Sequence, residues 1–181
     1  MLTKIRQNKF YFFLIKAGVL YGSCYFLYEF IIKKYTPLDQ IFIRKIINLS
    51  CWILEQFGYK TFVSKDVDDM QVMGIDGSNG VWIGGPCNGI TLMFLFAIFV
   101  IAYPGSIKNK LWYVPLGILA VHTLNIIRVV SLAIIAYRDP NSLDFNHTYT
   151  FTFIAYSFVF MLWMIWANKL SEPKKKNETL A

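Results

Sequence analysis

Hydrophobic residues in this chain gather into four blocks, at residues 10–32, 87–103, 111–137 and 148–168, with polar segments between them. A helix needs ~20 mainly apolar residues to cross ~30 Å of hydrocarbon, and each block is read as one such span. The first reads FYFFLIKAGVLYGSCYFLYEFII and carries Lys16 and Glu29 near its ends. Both can snorkel toward the interface. The second is the shortest and is extended outward by the 84–89 loop.

A different pattern fills the stretch between the first two blocks. Leu38, Phe42, Ile46, Leu49, Ile53 and Phe57 recur at helical spacing, while Asp39, Arg44, Lys45, Asn48 and Glu55 occupy the other face. A central charge costs ~2.5–3.5 kcal/mol to insert. This helix is therefore expected to lie in the membrane interface. Short alternating runs follow at 60–64, 71–75 and 81–83, with Asp76-Gly77-Ser78-Asn79-Gly80 as a turn signal. They predict a small β-hairpin over the membrane surface. The expected fold class is an all-α integral membrane protein. It has about four transmembrane helices, an interfacial amphipathic helix and a small extracytoplasmic β-hairpin. Residues 1–181 form a single membrane domain, with an extracytoplasmic segment at 33–86 and a basic cytoplasmic tail at 169–181.

Composition supports lipid as the solvent. The chain is 56% hydrophobic and 16% charged, against about 25% charged in soluble domains. The net charge of +7 sits beside the apolar blocks, which reads as topogenic charge and not as a nucleic-acid footprint. Lys4, Arg6 and Lys9 precede the first span, Lys108 and Lys110 separate the second and third, and Lys169 and Lys174 to Lys176 follow the fourth. With four spans these groups share one side. That side is expected to be cytoplasmic, with both termini there. Lys33, Lys34, Arg44, Lys45, Lys60 and Lys65 on the other side soften the contrast. The first block is long and lacks a small-residue cleavage site, so it reads as a retained span. The three cysteines, Cys24, Cys51 and Cys87, form no CxxC pair. No metal or organic cofactor is implied.

This topology places three unusual residues on one side. Cys87 opens the second span within Gly84-Gly85-Pro86-Cys87-Asn88-Gly89, Arg128 lies in the later half of the third, and His147 opens the fourth. A thiol at a helix N-terminus feels the positive end of the dipole, which favours thiolate chemistry. Backbone N–H groups at the same turn can hold a developing oxyanion. Arg128 lies about 14 Å along the helix from its outer end, and an intramembrane arginine needs a partner. Asn125, one turn earlier, shares its face and can orient the guanidinium or join helices. His147 can shuttle protons near neutral pH. A His–Cys pair calls for a third orienting group, and Asn146, Asp144 and Asn125 are the candidates. His122 lies on another face and is expected to pack. The plain alternative to a functional thiol is a buried, inert cysteine at a helix start.

The run Pro86-Cys87-Asn88-Gly89-Ile90, then Asn125-Ile126-Ile127-Arg128, then His147, resembles the exosortase/archaeosortase family. The resemblance spans residues 81–166. It implies a cysteine peptidase/transpeptidase with Cys87 as nucleophile, Arg128 as substrate or oxyanion stabiliser and His147 as general acid/base. Asn125, Asn88 and Gly89 support the site. The implied partners are exported proteins ending in a short motif, a hydrophobic helix and a basic tail. Membrane lipids are partners as well, and nucleic acid is not. A non-enzymatic assembly factor for surface protein or polysaccharide export is the rival. It would use Arg128 to bind an anionic lipid or partner. A small transporter fits less well, because the polar groups gather at one face and no repeat is visible.

Overall fold

The computed structural model describes residues 2–65, 71–84 and 87–171. Gly85, Pro86 and most of the expected basic tail, including Lys174 to Lys176, lie outside the described residues. Helix α1 (Leu2–Leu27) continues through a π-helical turn, Tyr28–Ile32, into the single turn α2 (Lys33–Tyr35). Helix α3 (Leu38–Gln56) follows, then strands β1 (Thr61–Lys65), β2 (Gln71–Ile75) and β3 (Val81–Ile83). Helices α4 (Ile90–Ala102) and α5 (Ile107–Arg138) come next. The last helical stretch runs through α6 (Leu143–Phe145), a π-turn at Asn146–Thr150 and α7 (Phe151–Ile165).

Among the described residues, three stretches are long and apolar enough to cross a membrane: Tyr11–Tyr35, Ile107–Arg138 and Pro140–Leu170. The expected second span is shorter than the other three. Helix α4 has 13 residues, so it covers about 20 Å of the ~30 Å hydrocarbon core. Helix α5 shows the opposite mismatch. Its 32 residues run about 48 Å. Ser106 starts it by accepting a hydrogen bond from the Asn109 N–H at 3.2 Å, an N-cap. Pro140 then opens the 3₁₀ turn that reverses the chain, so α5 and α7 pack side by side.

Two cores stack along α5. Toward its N-terminal half, Phe96, Tyr113, Val121, Val159 and Trp166 join α4, α5 and the last helix. Gly117 permits the closeness, because a Cβ there would sit 2.0 Å from the Phe96 ring. Toward its C-terminal half, Ile126, Val129, Val130 and Ala133 pack under α3 and the sheet. The greater length of α5 serves this second core.

Two expectations are corrected here. The three alternating runs form three antiparallel strands in the order β1-β2-β3, one more than a hairpin. Positive φ at Gly77 and Gly80 lets β2 turn back into β3, and β1 adds to the other edge of β2, with Val63 opposite Met73. The buried face of α3 is also rotated from the expected one. Ile43, Ile46, Ile47, Ser50, Cys51 and Leu54 are buried, whereas Leu49 and Phe57 are exposed. The small Ser50 and Cys51 let α3 approach α5 and the sheet, and this tertiary contact overrides the simple apolar stripe.

Candidate active site

Cys87, Arg128 and His147 come from three elements and meet at one end of the bundle. Cys87 sits in the single turn before α4 and His147 in the π-turn leading into α7. Such turns interrupt helices frequently at functional sites. Cys87 Sγ lies 3.3 Å from His147 Nε2. Arg128 Nη2 lies 3.2 Å from the same nitrogen. A guanidinium only donates hydrogen bonds, so Nε2 accepts from Arg128 through its ring lone pair. The thiol shares that one lone pair. The three groups border an open cavity of about 430 Å³, together with Thr91, Thr148 and Tyr156.

The backbone of Cys87 is held from behind. Asn125 Nδ2 donates to the Cys87 carbonyl at 3.1 Å. Of the two roles open to it, orienting the guanidinium or joining helices, this bond is the second, tying α5 to the turn before α4. Gly89 makes room for it: φ is +77° there, and a Cβ would lie 3.1 Å from the Asn125 amide carbon. The Asn88 side chain accepts the Ile90 N–H at 2.9 Å, and the Cys87 N–H donates to the Gly84 carbonyl at 2.9 Å. Those two amides are therefore committed to the turn, and Arg128 is the cation facing the cavity beside the thiol.

Asn88 leads to residues the sequence did not single out. Its Nδ2 donates to Tyr28 Oη at 3.0 Å and to an Asp39 carboxylate oxygen. Tyr28 Oη in turn donates to that oxygen at 2.6 Å. The triangle ties the π-turn after α1 and the start of α3 to the residue beside the thiol. Tyr28 lies inside the first apolar block, and Asp39 on the charged face of the amphipathic segment. Their separations from Asn88, 60 and 49 residues, leave no local pattern to read.

Other candidates are used elsewhere. Asn146 donates to the Ser142 carbonyl at 2.9 Å, within its own helix, and Asp144 is exposed. The group on the His147 ring is thus Arg128. His122 stands beside Phe42, with ring centroids 5.2 Å apart, and does not line the thiol cavity. Cys51 is buried in the core under the sheet, and burial pushes its thiol up from the ordinary range. Among the described residues no cluster of His, Cys, Asp or Glu is suited to a metal ion.

Residues 11–169 match the family model described as transmembrane exosortase. No curated protein and no solved structure matches the chain. The match covers the first two candidate spans, all but the last residue of the third, and the whole Cys87, Arg128 and His147 constellation. The chain is therefore a multi-pass membrane protein that belongs to the transmembrane exosortase family.

Proposed function

We propose that this protein is a membrane cysteine peptidase/transpeptidase that cleaves the C-terminal sorting signal of exported proteins through a Cys87 thioester. The observation that carries this reading is the convergence of Cys87 Sγ and Arg128 Nη2 on one ring nitrogen of His147. Family membership supplies the reaction class.

The sharing of one lone pair gives the order of events. The Cys87 S–H proton passes to His147 Nε2, and the nitrogen can then no longer accept from Arg128. The guanidinium donor is freed as the thiolate attacks the substrate carbonyl carbon. Arg128 meets the negative charge that develops on the carbonyl oxygen. The tetrahedral adduct collapses, the C–N bond breaks, and the leaving amine takes the proton from Nε2. A Cys87 thioester remains. An acceptor amine or water then attacks it, with His147 again as base, and the thiol is restored. Charge bias in the loops favours the extracytoplasmic side of the inner membrane for this chemistry, with four spans in all and α4 as the short second one.

The test is processing in cells that carry an exported substrate with the tripartite C-terminal signal. Cys87→Ala and Cys87→Ser are expected to abolish cleavage while the protein still inserts. Cleavage that survives both substitutions sinks the proposal.

A further inference from the structure

A second cavity, of about 110 Å³, adjoins the first. Val121 and Leu124 of α5 and Phe151 of α7 line it, and it shares Leu92, Arg128 and Ala155 with the thiol cavity. From Arg128 back to Val121 it reaches about 10 Å further along the bundle, away from the thiol end. Its lining is apolar except for Asn125 and Arg128, and it opens on the bundle surface between Ile127 and Ile154, which are 54% and 42% exposed. Arg128 Nε is buried and has no partner among the described residues. A buried unpaired donor is costly; this one is closed off from both cavities, and the guanidinium donor beside the thiol is Nη2, 3.2 Å from His147 Nε2.

These features describe one kind of ligand. Arg128 Nη2, once released by His147, offers an N–H for a carbonyl oxygen, and the inner cavity offers room for an apolar group attached beside that carbonyl. An apolar cavity of about 150 Å³ holds a benzene ring, so this one suits about four carbons.

We propose that the inner cavity is the subsite for the side chain of the substrate residue bearing the attacked carbonyl, and that it selects a small aliphatic side chain of valine or leucine size. The inference rests on the peptidase reading. With the carbonyl oxygen on Arg128, the side chain leaves one bond away, at the mouth bordered by Leu92 and Ala155. The methyl group of Ala155 keeps that mouth open.

The test uses the purified full-length protein and short peptide chloromethyl ketones that differ only in the side chain beside the ketone: Gly, Val, Leu or Trp. The Cys87 thiolate displaces chloride, forms a thioether, and the added mass is followed with time. Val and Leu probes are expected to label Cys87 roughly tenfold faster than Gly or Trp. Ala155→Leu should bring the Leu-to-Gly ratio down toward one. Leu124→Ala should shift preference toward Trp, and it decides the question if Ala155→Leu does not fold. Equal rates for all four probes in the unaltered protein overturn the subsite and leave the thiol site standing. No labelling of Cys87 by any probe overturns the peptidase reading, and the subsite with it. A co-purified lipid whose removal speeds the Leu probe assigns the cavity to an acyl chain and likewise overturns the proposal.

Discussion

The two sides of Cys87 are built in opposite ways. Behind its backbone, Asn88 and Asn125 are 1% and 4% exposed, and their side chains bond to Cys87, Ile90, Tyr28 and Asp39. In front, the thiol, His147 and Arg128 face an open cavity, and one ring nitrogen serves two neighbours. The rear is a fixed mount that pairs its buried side-chain amides. The front keeps an exchangeable donor, since Arg128 Nη2 and the thiol share one ring nitrogen. A site that must accept a transient oxyanion gains from this division, because rigidity holds the nucleophile while a releasable donor waits for charge that forms only during reaction.

The largest test of this contrast is at the front. Arg128→Lys keeps a positive charge but loses the planar set of donors. It is expected to lower processing by roughly 10²–10³-fold, the size of losing an oxyanion donor, with little change in thermal stability. Processing within about threefold of the unaltered protein would instead favour a charge-only role, as in an assembly factor.

The rear should respond in the reverse sense, with stability leading. Asn88→Ala removes both hydrogen bonds to Tyr28 and Asp39 and leaves a carboxylate with one fewer partner. It is expected to cost about 1–3 kcal/mol, seen as a lower unfolding midpoint in detergent, with processing reduced about tenfold. Tyr28→Phe removes the phenol from the triangle and should cost about 1 kcal/mol. If Asn88→Ala abolishes activity without lowering stability, the mount is part of the chemistry and the contrast fails.

The smallest effect concerns the second thiol. Cys51 is 8% exposed, and burial raises its pKa, so at neutral pH it is held as the protonated, unreactive form. Its thiolate fraction rises only as pH climbs toward that raised value. A small thiol reagent at neutral pH should modify Cys87 well before Cys51, read by peptide mass mapping. Cys51→Ala should keep processing close to that of the unaltered protein.

Much of this was readable in the residues, and the limits are physical. Long apolar blocks marked the helices because hydrocarbon demands length and low charge. Cys87, Arg128 and His147 stood out because polar groups are costly there, and alternating topology put them at one end. Besides the third strand, three features escaped. The rotation of α3 depends on what packs against it, and Leu49 and Phe57 fit the periodic stripe while facing outward. The role of Asn125 depended on Gly89, since only the missing Cβ lets the amide reach the Cys87 carbonyl. The Tyr28, Asp39 and Asn88 triangle joins distant segments, and neither periodicity nor composition records such a contact.

The central claim is that Cys87 carries the substrate as a thioester. The most direct measurement is mass spectrometry of the intact protein after brief mixing with an exported substrate that bears the tripartite signal, with and without hydroxylamine. The account predicts a substrate-sized adduct on Cys87 that hydroxylamine releases and that Cys87→Ala never forms. Cleavage at the full rate by the Cys87→Ala protein, with no adduct at any stage in the unaltered one, would contradict it.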